Sequence, residues 1–281
     1  VLPVLLGSAV AWYSLRVFNP YYFALAFIGM SLVQFALTML NDTLDYLYGT
    51  DASGSEVKNP YSGGSGVLVD GIIKPGEMLA VVALFYLIAL GIGVYLSFAV
   101  GFTVLYIVFV GFFISIFYSA KPFRFAYRGI GELAMLIGYG PVITLGAYFI
   151  QTGELAPLSA IAGLVPGMLM WAMIVVNEIP DYEEDKRAEK RNLVVRVGRE
   201  KGKDLFILSL AGIYAFIAGS VLAGLFPIYA LLAFFSMPFA INSARYLRQY
   251  YLDKVRVAAA NREMVKVYSS TMLLLTLGFL I

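Results

Sequence analysis

Long stretches of this chain contain no charged side chain at all, among them residues 78–120, 155–177 and 205–244. A helix that spans a bilayer needs about 20 mostly apolar residues. The first and third stretches are each long enough for two spans, and the second for one. Charged residues make up only 14% of the sequence and the mean hydropathy is +0.82, whereas a soluble domain carries about 25% charged residues. The chain is therefore expected to be all-α, an integral membrane bundle, with residues 1–281 forming a single transmembrane domain.

Breaks at charges, Pro and Gly divide it into nine predicted helices, near 1–15, 21–48, 77–98, 101–119, 129–150, 157–180, 203–225, 227–247 and 264–281. The first is short and apolar, without the basic leader and cleavage site of a signal peptide, and reads as a trimmed first membrane helix. Nineteen of the 20 Lys and Arg residues fall in or beside the connections after helices 2, 4, 6 and 8, and only Arg16 lies in a turn of the opposite set. Even-numbered connections of a bundle emerge on one side. The positive-inside rule then puts those connections, and the N-terminus, in the cytoplasm, which for a plasma-membrane protein leaves the C-terminus outside.

The sequence has neither cysteine nor histidine. Disulfides and Cys-ligated metals are excluded, as are the usual neutral-pH proton shuttle and the commonest ligand for zinc or haem. Chemistry here must run on carboxylates, Lys, Arg, Tyr and bound ions.

Helix 2 ends in Asn41-Asp42-Thr43-Leu44-Asp45-Tyr46, with Asp51 shortly after, and helix 6 ends in Asn177-Glu178-Ile179-Pro180-Asp181-Tyr182, with Asp185 after it. Each block reads Asn-acid-x-x-Asp-Tyr after an apolar run that opens near a proline, Pro20 or Pro157. The echo points to two halves with equivalent functional ends. Spacing of i, i+4 places Asn41 and Asp45 on one helical face, and Asn177, Asp181 and Asp185 align likewise if the helix continues past Pro180. Packed side by side, the two ends would bring five or six carboxylates to one cavity mouth, where they would repel one another without bound cations. Oxygen ligands without His or Cys suit a hard cation, above all Mg²⁺ when phosphate is the co-ligand.

Basic residues accompany the acids. Lys121 and Arg128 lie in the connection after helix 4, and Lys190 and Arg191 follow the second block. A diphosphate needs such cations to neutralise the charge that Mg²⁺ leaves. Lys121 is the strongest of these candidates. The Ser62-Gly63-Gly64-Ser65-Gly66 segment lacks the Lys and spacing of a phosphate-binding P-loop and reads as a lid or a linker.

These residues resemble the UbiA superfamily of intramembrane aromatic prenyltransferases, whose first motif is Asn-Asp-x-x-Asp with a further Asp and whose second is Asp-x-x-x-Asp. Here they are Asn41, Asp42, Asp45 and Asp51, then Asp181 and Asp185. The segment Tyr118–Lys121, the run Tyr127-Arg128-Gly129 with Gly131-Glu132, and Lys190-Arg191-Asn192 extend the resemblance over most of the chain. Gly49-Thr50-Asp51, Gly131-Glu132 and Gln151-Thr152-Gly153 look most like the 1,4-dihydroxy-2-naphthoate branch of menaquinone synthesis. Asn192 stands where the family often has Thr, and Asp51 is six residues past Asp45 rather than four.

The resemblance implies nine helices around a central cavity with the two motifs opposed across its mouth. It also implies two Mg²⁺ ions, held by Asn41, Asp42, Asp45 and Asp51 and by Asn177, Asp181 and Asp185, that help ionise a prenyl diphosphate. Asn41, Lys121, Arg128, Lys190 and Arg191 would bind the diphosphate, and Asp45, Asp181, Tyr118 and Lys121 would act in the chemistry, with Phe117 and Tyr118 facing the allylic cation. The implied partners are a prenyl diphosphate, an aromatic acceptor and the lipid bilayer; nothing calls for nucleic acid or an obligatory protein partner. A related branch would transfer geranylgeranyl to a glyceryl phosphate and would need an extra phosphate site. A cation-coupled transporter would also carry membrane acids and repeated halves, but these acids lie at one face rather than at the midplane.

Overall fold

The computed structural model describes residues 1–50, 59–61 and 64–281, so the expected ligand Asp51 and the Ser62-Gly63 part of the glycine-rich segment lie outside the described residues. Among the described residues all regular structure is helical. Nine segments form: α1 (Leu2–Leu15), α2 (Pro20–Leu47), α3 (Pro75–Ala99), α4 (Thr103–Phe117), α5 (Gly131–Thr152), α6 (Pro157–Arg187), α7 (Arg199–Leu222), α8 (Ile228–Tyr250) and α9 (Ala258–Leu280). A single-turn helix, Leu193–Val197, and a 3₁₀ turn, Phe125–Tyr127, lie in the connections. Seven of the nine are long and apolar enough to cross a membrane, while α1 and α4 are apolar but have 14 and 15 residues. At 1.5 Å per residue those two reach about 21–23 Å, short of the roughly 30 Å hydrocarbon core. The chain is a multi-pass membrane protein.

Local chemistry sets the helix starts. Pro20, Pro75 and Pro157 each occupy a first helical position, where the missing N–H would have had no partner and φ is already helical. Asn19 caps α2 by accepting hydrogen bonds from the N–H groups of Tyr21 and Tyr22, at 3.0 and 3.1 Å. Cutting the sequence at charges had made several helices too short: α7 begins at Arg199, α9 at Ala258, and α6 runs through Pro180 to Arg187. Charged residues prolong these helices beyond the apolar stretch instead of ending them.

The four basic connections meet at one end of the bundle. The Arg191 N–H donates to the Tyr127 carbonyl at 3.2 Å, Lys254 pairs with Glu184 at 2.7 Å, and the Asn59 amide donates to the Lys254 carbonyl at 3.3 Å. At the opposite end the Asn19 N–H donates to Gln151 at 2.6 Å, joining the α1–α2 turn to the end of α5.

Packing divides the bundle unequally. Helices α1 and α6–α9 share one large buried core that includes Leu6, Leu169, Ile179, Phe206, Met264 and Phe279. Helices α2–α5 contribute only small clusters. Between them, walled also by Val4 of α1, lies an apolar cavity lined by Leu25, Gly29, Val33 and Leu37 of α2, Leu96 of α3, Gly111 of α4 and Tyr139 of α5.

One close approach sets where α5 stands against the tight half. A Cβ at Gly140 would lie 2.4 Å from the Gly163 carbonyl oxygen, and one at Gly167 would lie 2.3 Å from the Leu136 carbonyl oxygen. Small residues let membrane helices bring their backbones together. Pro141, which has no N–H to give, is absorbed by a local π-helical turn over Gly138–Val142, a usual accommodation. Gly167→Val should therefore lower the thermal midpoint in detergent by the equivalent of about 2–3 kcal/mol. Gly91→Ala, where nothing lies within 4 Å of the added carbon, should leave it unchanged. Thermal unfolding of the two purified variants checks this.

Candidate active site

Asp45 ends the polar face of α2 and is 3% exposed. Its Oδ1 accepts from the Tyr127 hydroxyl at 2.5 Å, and its Oδ2 accepts from the Asn41 amide at 3.3 Å and from Lys190 Nζ at 3.0 Å. The Lys190 ammonium also lies 3.7 Å from Asp185 Oδ1, and Asp185 Oδ2 accepts from the Asn192 amide at 2.7 Å. One acid from each motif thus meets on a single cation, supplied by the segment that follows the second motif. Burial works against that ammonium, but Asp185 and Asp45 outweigh it and hold its pKa well above the usual lysine value. Burial, then the charge of Asp45, pushes the Tyr127 phenol up, so it stays a hydrogen-bond donor to Asp45.

The segment that carries Lys190 is held in several ways. Glu132 accepts from the Leu193 N–H at 2.7 Å and Glu178 from the Val194 N–H at 3.4 Å, while Asn192 caps the same turn through the Val195 N–H at 2.8 Å. Arg196 ties the two connections together, donating to the Arg191 carbonyl at 2.9 Å and to the Arg128 carbonyl at 2.6 Å. Its guanidinium lies where a Cβ of Gly129 would be, so this tie requires glycine there.

The other expected site residues are distributed as follows. Asn41 and Asp45 share a face, as their spacing implied, and the Asn41 Oδ1 accepts from Ser119 at 2.6 Å. Asn177, Asp181 and Asp185 lie on one uninterrupted helix through Pro180. Asp42 turns to the glycine-rich segment, where both the N–H and the hydroxyl of Ser65 donate to it. Lys121 is exposed, 6.0 Å over the Tyr48 ring; Arg128 is exposed and donates to the Pro122 carbonyl at 2.8 Å; Arg191 is exposed too. Tyr118 packs among Leu37, Met135 and Tyr139 where the cavity approaches the motifs, and burial, then Glu178, pushes its phenol up. Among the described residues, which do not include Asp51, no three acids stand close enough to hold a metal together. Glu178 serves the turn after Asn192, Asp42 serves Ser65, and Lys190 takes the place between Asp45 and Asp185.

Three side chains at the candidate site were given no role by the sequence. Tyr127 and Asn192 orient the two central acids. Arg124 lies between two rings, 4.0 Å from the Tyr48 centroid and 3.7 Å from that of Tyr127. The one signal in the sequence for Arg124 was its place in the same segment as Lys121.

Lys190→Met would leave two buried carboxylates facing each other without compensation. It should cost about 3 kcal/mol of stability, and adding Asp45→Asn should recover part of that loss. Thermal unfolding of the single and double variants in detergent measures both effects.

The chain is similar to known proteins over most of its length. The chain is 28% identical over 244 residues to the 1,4-dihydroxy-2-naphthoate octaprenyltransferase of Bacillus subtilis, covering 87% of this chain and 76% of the relative. Its fold matches the structure of a UbiA homolog from Aeropyrum pernix at a TM-score of 0.71 and 16% identity, over 97% of this chain and 96% of that one. It also matches a UbiA homolog from Archaeoglobus fulgidus bound to GPP and Mg²⁺, at a TM-score of 0.61 and 15% identity, over 98% and 95% of the two chains. Residues 1–266 match the description of one family, and on that match the chain belongs to the UbiA prenyltransferase family.

Proposed function

We propose that this chain transfers a prenyl group from a prenyl diphosphate to a dihydroxynaphthoate. The supporting observation is the meeting of Asp45 and Asp185, one from each half, on Lys190 beside an apolar cavity. A prenyl diphosphate has the same two-part character, an apolar tail and a multiply charged head. The residues of α2 that line the cavity run from Leu25 to Leu37, one turn short of Asn41, or about 18 Å at 1.5 Å per residue. The relative from Bacillus subtilis, named for this acceptor, is the warrant for the acceptor class. The charge asymmetry of the connections supports a plasma-membrane protein with this end in the cytoplasm.

The donor set fits Mg²⁺ on one condition. Mg²⁺ is usually bound by one or two carboxylates together with substrate phosphates, and the two halves each present one buried acid, Asp45 and Asp185. Asp181 shares a motif with Asp185, while the Asn41 oxygen is taken by Ser119, and an ion on each motif, two in all, would be completed by the diphosphate. The chemistry Mg²⁺ supplies when bound is withdrawal of charge from the leaving diphosphate. Lys190, a firm ammonium, moves from pairing the two acids to pairing a diphosphate oxygen. Tyr127 and Asn192 keep Asp45 and Asp185 in place as that partner leaves. Arg124, held in the corner between the edge-to-face rings of Tyr48 and Tyr127, offers its charge to the same anion. The allylic C–O bond breaks with its electron pair going to the diphosphate, and the apolar walls exclude the water that would trap the cation. Tyr118, at the junction, faces it as a neutral ring. The acceptor ring then forms the new C–C bond and loses a proton, or CO₂ if the attacked carbon bears a carboxylate.

Purified protein given geranyl diphosphate, 1,4-dihydroxy-2-naphthoate and Mg²⁺ should form a prenylated naphthoquinol, read as the naphthoquinone after oxidation in air. Asp45→Ala and Asp185→Ala should each lower the rate by more than about 100-fold, beyond the cost of losing an outer-shell partner. Diphosphate release without naphthoquinone would refute the acceptor, and turnover without Mg²⁺ would refute the site. Gly111 has open space beside it in the cavity, so Gly111→Leu should reduce activity with long prenyl donors more than with geranyl diphosphate; competition between the two donors gives that ratio.

A further inference from the structure

Pro180 lies inside α6 and has no N–H, so the carbonyl four residues earlier, that of Val176, lacks its helical partner. A side chain from another helix supplies one. Asn261, in the first turn of α9 and fully buried, donates from Nδ2 to the Val176 carbonyl at 3.2 Å and to Asn177 Oδ1 at 2.7 Å. A carbonyl only accepts, so the end of the Asn261 amide facing Val176 must be its NH₂. That orientation in turn requires the Asn177 oxygen, not its nitrogen, to face Asn261. The Asn261 Oδ1 is buried without a hydrogen-bond partner, a cost that an apolar residue of similar size would not carry. The amide is useful here for its two donors.

The first motif repeats the arrangement. Asn41 donates to the Asp45 carboxylate, which can only accept, and its oxygen accepts from Ser119. In both halves the leading Asn of the motif has its oxygen held by a side chain from another part of the bundle, Ser119 in one and Asn261 in the other.

We propose that Asn261 is a positioning residue with two tasks. It replaces the N–H that Pro180 lacks, so that α6 continues to Asp181 and Asp185, and it holds the Asn177 amide so that its NH₂ is the end left for the substrate. This rests on the prenyltransferase reading and deepens it by assigning Asn177 to a diphosphate oxygen rather than to a cation, because its own oxygen is already engaged.

The two tasks separate in a double variant. Asn261→Leu should lower the thermal midpoint of ligand-free protein and weaken binding of inorganic diphosphate with Mg²⁺ at least about tenfold, as loss of one hydrogen bond to a charged group does. Adding Pro180→Ala restores a main-chain N–H for Val176. The double variant should regain stability while its diphosphate affinity stays tenfold weak. Asn177→Ala should show the same weakening, and Asn261→Leu added to it should weaken binding no further. Calorimetric titration with Mg–diphosphate and thermal unfolding read the two tasks independently. A double variant that regains both stability and affinity would overturn the orienting role, as would an Asn177→Ala protein that binds like wild type. Wild-type protein that takes up no Mg–diphosphate would instead overturn the prenyltransferase reading beneath it.

Discussion

The Lys190 ammonium lies between two buried carboxylates from opposite halves of the chain, 3.0 Å from Asp45 and 3.7 Å from Asp185. Two such acids close together in a low-dielectric site would repel strongly, and each would be costly to bury alone. The cation makes their meeting tolerable, and much of the surrounding structure serves to put it there. Glu132, Glu178 and Asn192 fix the turn that follows Lys190, Arg196 ties that turn to the connection after α4, and Gly129 leaves room for the tie. Those connections are far apart in sequence, yet they converge on this one ion pair.

The unequal packing of the bundle belongs to the same design. Helices α1 and α6–α9 fill their shared interior, which gives the second motif a rigid mount. Helices α2–α5 leave an apolar space whose lining reaches Leu37, one turn short of the first motif. The backbone approach at Gly140, Gly163 and Gly167 fixes the open half against the closed one. A lipid tail needs the space, while a charged head needs fixed partners at its end, and the two halves divide those tasks.

The fold was legible in the sequence because its signals are long and redundant: charge-free stretches, prolines at helix starts, and basic residues confined to alternate connections. Helix ends were less legible, because cutting at charges treated Arg199 or Asp181 as terminators although both are helical. At the candidate site, spacing and charge had singled out Asn41, Asp45, Asp185 and Lys190, which the structure brings together. Asp42 was not, since nothing local says that a carboxylate after Asn41 will take Ser65 as its partner. Lys121 stood out as a cation on the same side as the acids, yet Arg124, three residues on, is the one held between Tyr48 and Tyr127. Asn261 shows the limit most clearly. The proline in the second motif announces a carbonyl in need of a donor, but which of the distant side chains supplies it is decided by packing between α6 and α9.

The central claim is that each half presents an incomplete cation site that the diphosphate completes. Binding of Mn²⁺, as a spectroscopic substitute for Mg²⁺, can be followed by electron paramagnetic resonance with and without a non-ionising thio analogue of geranyl diphosphate. The account predicts weak binding to protein alone, strong binding when the analogue is present, and loss of that strong binding in either Asp45→Asn or Asp185→Asn. Tight Mn²⁺ binding without the analogue, or binding indifferent to either substitution, would contradict it.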